Sequence, residues 1–311
     1  MTAAHLDQGL PVKTLGQLAA AISDRVNSES EANWIVERAA DIAPGRLLVV
    51  SDTPVSAATI GAARAMAERR AAGEPLQYVL GSWSFRLLEV SVDARALVPR
   101  PETEQVVEVA LGELRRVSGL DRRRSTNPLL VVDLGTGSGV IALSLAHEGI
   151  ARDDLEIWAV DSSPPALELA RENLSALADR QPAMASRVRL AGGSWFEALP
   201  DRLVGSLQLV VSNPPYVSAS EWAALDPEVR DHEPRTALVP GPTGFEALDF
   251  LVHEARRWLV PGGGLVLELA PHQAAEVTVM AEGAGYVDVR VRPDLAGRPR
   301  TLVARWSDAR R

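Results

Sequence analysis

Leu129-Leu-Val-Val-Asp133-Leu-Gly135-Thr-Gly137-Ser-Gly139-Val140 is the stretch that decides how the rest of this chain is read. An unbroken apolar run of strand length leads into three glycines at alternate positions, and a helical segment follows over Val140–Ala146. Strand, glycine loop and helix together make the opening crossover of a parallel α/β sheet, and such sheets bind ligands where their strands end. Glycines at that point let the backbone approach a ligand closely and take positive φ. The dinucleotide fingerprint G-x-G-x-x-G needs glycine where Val140 stands. The loop reads D-x-G-x-G-x-G instead, and an acid two residues before the first glycine suits an aminoacyl ammonium and repels a pyrophosphate. A purely structural glycine turn is the alternative.

Downstream, apolar segments alternate with amphipathic ones. Strands are predicted at Leu129–Asp133, Glu156–Asp161, Val188–Ala191, Leu207–Val211, Gly264–Leu269, Val287–Arg292 and Thr301–Arg305, with helices such as Ala166–Ala176 between most of them. This rhythm predicts a doubly wound, mostly parallel, Rossmann-like sheet. Pro261-Gly-Gly-Gly264 reads as a tight turn into a late strand. Upstream, Leu15, Leu18, Ala19 and Ile22 recur at helical spacing, as do Trp34, Ile35, Ala39 and Ile42. Asp52-Thr53-Pro54 starts a third helix, and Gly73-Glu74-Pro75 stops it. Residues 81–98 have the alternation of a β-hairpin linker. Pro99 to Glu104 then breaks the chain and launches a helix over Glu104–Leu114, with acids in its first turn. The expected organisation is a small helical bundle over 1–80, a hairpin linker over 81–98 and the α/β domain over 99–311. Asp121–Asn127 is a polar, Arg-rich surface connector.

The chain's 311 residues, 46% of them hydrophobic, suffice for one large core and one small one. It contains no cysteine, which excludes disulfides, thiolate metal sites and a cysteine nucleophile. Its five histidines are scattered without zinc spacing, so no metal is expected. A formal charge of −9 repels phosphate backbones, and positive charge clusters only at Arg122–Arg124 and in the C-terminal arginines. No direct nucleic-acid partner is expected. No apolar run approaches the ~20 residues that span a bilayer, and Met1–Pro11 lacks the basic and apolar regions of a signal peptide. The expectation is a cytoplasmic monomer with no membrane partner.

Three further points carry chemistry. Asp161 closes the strand after the glycine loop, where a carboxylate accepts from ribose hydroxyls or serves as a helix N-cap. Trp195 follows the third strand, where its ring packs on an adenine face or simply fills core. Leu209-Val-Val-Ser-Asn213-Pro-Pro-Tyr216 runs a buried strand straight into two prolines. Proline cannot continue a central strand and has no N–H. The pair stiffens the loop and frees the Pro214 carbonyl, while the Asn213 side chain offers a second oxygen. Two acceptors on a rigid loop suit a planar NH2, as in glutamine, asparagine, adenine or cytosine. Tyr216 can cover the target group. A structural Pro-Pro turn is the alternative.

Asn213-Pro-Pro-Tyr216 together with Asp133 to Gly139 resembles the amino-methyltransferases, which include adenine-N6 and cytosine-N4 enzymes as well as glutamine-N5 enzymes. Gly73-Glu-Pro-Leu-Gln-Tyr-Val-Leu-Gly81, Pro99-Arg-Pro-Glu-Thr-Glu104 and Glu233-Pro-Arg-Thr-Ala-Leu238 resemble the release factor glutamine N5-methyltransferase family, PrmC/HemK, from about residue 14 onward. The resemblance implies a class I methyltransferase fold with S-adenosylmethionine as methyl donor and S-adenosylhomocysteine as product. It implies as substrate the glutamine of the Gly-Gly-Gln loop in peptide chain release factors. It implies that Gly135, Thr136, Gly137, Ser138, Gly139, Asp161, Trp195 and Asn213 contact the donor, with Asp133 beside them. By the same resemblance Asn213, Pro214, Pro215 and Tyr216 hold the glutamine, and Arg100 and Pro101 lie near the entrance. Ser194 stands where family members often carry an acid, and Glu268–Gln273 matches loosely and is assigned no role. One glutamine side chain offers little surface for specificity, so the N-terminal bundle is expected to dock the partner. The alternative is a nucleic-acid amino-methyltransferase, which needs a basic surface and a flipped base.

Overall fold

The computed structural model describes residues 12–121, 128–149 and 154–307, without the side chains of 119–121. The signal-peptide reading of residues 1–11, the connector beyond residue 121 with its arginines, and the arginines at 310 and 311 lie outside the described residues. Two compact units are present: one takes the chain up to Ser82 together with Pro227–His232, the other Trp83–Asp226 and Glu233 onward.

The first unit is helical because its sequence supplies both stripes and caps. Leu15–Val26, Glu29–Ala39 and Ala57–Ala71 begin after Thr14, Ser28 and Ser56, whose hydroxyls accept from Gln17, Glu31 and Thr59 N–H. Leu18, Ile22, Ile35, Val36, Ala63 and Ala67 are buried between them. Ser56 caps the third helix rather than Asp52 or Thr53. The Thr53 carbonyl accepts instead from Leu15 N–H, so that stretch is spent on bracing the first helix. Of the predicted stripe Ile35 is buried, together with Ala32 and Val36, while Trp34 is 40% exposed. Leu76–Leu80 is a further short helix. Within this unit Arg70 bridges Glu31, at 2.7 and 3.0 Å, to Glu228 at 2.7 Å on the helix Pro227–His232.

Next along the chain is a hairpin, β1 (Ser82–Phe85) and β2 (Leu88–Ser91). Arg86 at its turn has φ +51° and fans out to Glu148 (2.7 Å twice) and Glu108 (2.9 Å), while its N–H donates to Glu104. The helix that follows runs over Pro101–Asp121, longer than predicted, with Glu102 and Glu104 in its first turn. Then come β3 (Leu129–Leu134), β4 (Leu155–Asp161), β5 (Val188–Gly192), β6 (Leu207–Ser212), β7 (Leu259–Glu268), β8 (Tyr286–Pro293) and β9 (Pro299–Trp306). Their order across the sheet is β5-β4-β3-β6-β7-β9-β8. The first five in that order are parallel, and β9 is antiparallel to both β7 and β8. This is the doubly wound arrangement with its switch point at β3, closed by an antiparallel pair, and it is the class I methyltransferase fold.

β3 is buried at every position, as expected for a strand covered on both faces. The helix Val140–Glu148 buries seven consecutive residues from Val140 to Ala146 and so carries little amphipathic signal. Pro261–Gly264 is not a turn before β7 but an irregularity inside it. Leu259 pairs with Leu207 and Gly264 with Leu209, so β7 loops out between two paired positions and then resumes.

Candidate active site

Sheet register assembles the site. Leu134 pairs with Val160 on β4 and Ser212 on β6, and Asp161 with Gly192 on β5. Gly135, Ser162, Gly193 and Asn213, one step beyond, therefore leave the sheet along the same edge, and all four line a cavity there. Asp161, Trp195, Thr136, Gly137, Ser138, Pro215 and Arg100 line it too. Most of the residues singled out in the sequence are thus brought together. Asp133, Gly139, Pro214, Tyr216 and Pro101 are not in its wall.

The glycine loop takes the form its composition allows. Gly135, Gly137 and Gly139 have φ of +70°, +56° and +88°, and a Cβ on Gly135 would stand 3.7 Å from the Trp195 ring. Gly139 ends the loop as the N-cap of Val140–Glu148. Beneath it, Asp133 is fully buried, and one carboxylate oxygen, Oδ2, accepts from the Thr136 hydroxyl (2.6 Å) and Ala142 N–H (3.1 Å). Its Oδ1 has no partner, and burial pushes the carboxyl up to about 7, helped by the negative charge of Asp161. Asp133 therefore braces the loop from below, with an unanswered oxygen that a cation nearby can satisfy.

Asp161 is not the N-cap of the next helix, a place taken by Ser163, whose hydroxyl accepts from Ala166 N–H. Asp161 Oδ1 accepts from Ser163 N–H (2.8 Å) and Oδ2 from Gly137 N–H (2.9 Å), which ties the strand end to the glycine loop. Burial raises its carboxyl despite these bonds. Each carboxylate oxygen keeps a lone pair, and the residue faces the cavity. Trp195 is held at φ +47°, a costly conformation for a bulky side chain, with its ring centroid 6.3 Å from that of Phe250. Ser194 lines the cavity beside it.

At the end of β6, Asn213 Nδ2 donates to the Thr103 hydroxyl (3.1 Å). Thr103 in turn donates to Glu268 Oε2 (2.7 Å), and the Tyr216 hydroxyl donates to Glu268 Oε1 (3.2 Å). Burial raises the Glu268 carboxyl, against the pull of Thr103 and Arg300. Tyr216 is likewise raised, by burial and then by the negative Glu268. The Tyr216 carbonyl accepts from Gln273 Nε2 (3.1 Å), so both ends of this tyrosine are fastened. Tyr216 thus braces the proline loop, and its side chain is not in the cavity wall. Arg100 pairs with the buried Glu233, whose other oxygen accepts from Val98 N–H (3.1 Å). Pro101 opens the long helix and is exposed.

Residues 13–81 match the family model of the PrmC N-terminal domain, and 117–226 that of the methyltransferase small domain. A release factor glutamine methyltransferase of Deinococcus radiodurans is 44% identical, over 76% of this chain and 77% of its own. One of Cereibacter sphaeroides is 38% identical over 93% of this chain and 94% of its own. The chain belongs to the release factor glutamine methyltransferase family. A solved protein-(glutamine-N5) methyltransferase (release factor-specific) from Alicyclobacillus acidocaldarius is 26% identical, covering 70% of this chain and 99% of its own, with a TM-score of 0.38.

In this member of the release factor glutamine methyltransferases, the sequence assigns no individual role to Thr103, Glu268, Gln273, Asn173 or Glu233, all of which brace the site. Glu268 carried a usable signal: an acid closing the apolar run Leu265-Val-Leu is buried at a cost unless something bonds it. Asn173 carried none, because its partners, Ser91 and Ser138, are remote in sequence.

Proposed function

We propose that this chain methylates the side-chain amide nitrogen (N5) of the glutamine in the Gly-Gly-Gln loop of peptide chain release factors, with S-adenosylmethionine as donor. The observation that carries it is the Asn213 carboxamide at the end of β6, on the same cavity as the glycine loop and Asp161, with its NH2 committed to Thr103. The donor set fits S-adenosylmethionine. Gly135 to Gly139 let its aminoacyl end approach the backbone, and the unanswered Asp133 Oδ1 lies below for its ammonium. Asp161 has free lone pairs for its ribose, and the Trp195 ring walls the cavity for its adenine. Bound there, the cofactor supplies a methyl group on a sulfonium and leaves as S-adenosylhomocysteine.

The chain's own residues address the weakness of an amide as a nucleophile. Its lone pair is delocalised, so the site must favour the nitrogen as positive charge develops on it. Asn213 Oδ1 accepts one N–H. The Pro214 carbonyl, part of the peptide leading into cavity-lining Pro215, accepts the other. Holding the group still supplies much of the rest of the acceleration. The first unit docks the release factor, because a single glutamine is too small to select a protein.

Incubating the enzyme with labelled S-adenosylmethionine and purified release factor, then mapping the label by mass spectrometry, tests the reading. A methyl on the Gly-Gly-Gln glutamine is expected, and an unmodified glutamine overturns it. Asn213→Ala is expected to lower kcat by about 10²-fold or more.

A further inference from the structure

We infer that Thr103 and Glu268 are positioning residues that decide which way round the Asn213 carboxamide sits, and so whether it meets the target nitrogen as an acceptor or as a donor. The inference rests on the reading above and deepens it. A carboxamide has two ends of nearly equal shape and opposite hydrogen-bonding sense, so its orientation is set by its partners. Rotated by half a turn, Asn213 would aim an NH2 at a substrate NH2, and two donors would face each other.

The polarity of a hydrogen-bond chain removes this ambiguity. Glu268 is 1% exposed, and as a carboxylate it accepts only. It therefore claims the one hydrogen of the Thr103 hydroxyl at 2.7 Å. With that hydrogen spent, Thr103 can only accept from Asn213, and it receives Nδ2 at 3.1 Å. The Asn213 oxygen is left for the cavity. A second donor, the Tyr216 hydroxyl at 3.2 Å, occupies the other Glu268 oxygen, so the carboxylate cannot swing away without breaking two bonds. Thr103 is 4% exposed and lines the cavity beside Asn213, so its hydroxyl stands between the buried carboxylate and the site. Glu268 closes β7 and Thr103 lies in the first turn of Pro101–Asp121, so the sense of the amide at the end of β6 is dictated from two other elements.

Thr103→Val keeps the shape and deletes the hydroxyl. Its kcat is expected to fall about tenfold or more, while KM for release factor and for S-adenosylmethionine each stay within about twofold. Thr103→Ser, which keeps the hydroxyl, is expected to restore most of the loss. Wild-type kcat in Thr103→Val, a loss confined to KM for S-adenosylmethionine, or a Thr103→Ser variant no better than Thr103→Val would each overturn the inference. Should Thr103→Val fail to melt cooperatively, Glu268→Gln decides the matter. Its side chain can offer either sense to Thr103, so kcat is expected to drop with both KM values kept, and an unchanged kcat overturns the inference. If the wild-type enzyme itself left the release factor glutamine unmodified, the proposed function would fall. If it modified the glutamine and these variants did so equally fast, only the positioning role would.

Discussion

A carboxyl group buried with one oxygen unanswered makes folding sensitive to pH. Asp133 stands at about 7 in the folded chain against an ordinary 3.8, chiefly because burial disfavours its charge. Between those values the folded chain keeps a proton that the unfolded chain has released. The contribution to stability is fully present below the ordinary value and is lost as pH rises through 7, at up to about 1.4 kcal/mol per pH unit. Asp133→Asn has no such proton to lose. Urea unfolding at pH 5 and pH 8 is expected to show the wild type losing stability relative to Asp133→Asn on going to pH 8. Parallel profiles across that interval would refute the assignment of this proton to Asp133.

At the scale of elements, the glycine loop is held by what packs around it. Asn173, on the helix Pro164–Arg180, accepts from Ser91 N–H (2.7 Å) and donates to the carbonyls of Ser91 (3.1 Å) and Ser138 (2.9 Å). One buried carboxamide thereby clips the end of β2 to the loop that lines the cavity. Asn173→Ala strands these groups without partners, at a cost of about 1–3 kcal/mol. A lower Tm together with weaker S-adenosylmethionine binding by calorimetry is the expected result. A lower Tm with unchanged binding would mean that the clip serves the fold alone.

For the whole molecule, the boundary between units is not a single cut in the chain. Pro227–His232 follows β6 along the chain yet belongs to the unit of the N-terminal helices, where Arg70 links Glu228 to Glu31. The sequence reading divided the chain at 80 and 98, and no such division anticipates a six-residue return. Arg70→Ala removes the link within that unit. Amide exchange over 227–232 is expected to quicken by about tenfold or more, with the strands β3 to β6 unaffected. Unchanged exchange over 227–232 would show that apolar packing alone holds the helix.

The sequence alone determined what depends on neighbours along the chain. Apolar runs of strand length, broken by glycines at alternate positions and by two prolines after β6, specify alternating strand and helix and the loops where chemistry is done. A chain must obey these local constraints before it folds. Tertiary structure decided what depends on neighbours across the sheet. That Asp133 braces the loop from below, that Tyr216 is fastened to Glu268 and Gln273, and that Glu268 reaches Asn213 through Thr103 follow from register and from burial. Register pairs residues as distant as Val131 and Leu209, and burial leaves each polar group only the partners that the fold brings to it, as Thr103 is brought to Glu268; neither is written in any local pattern.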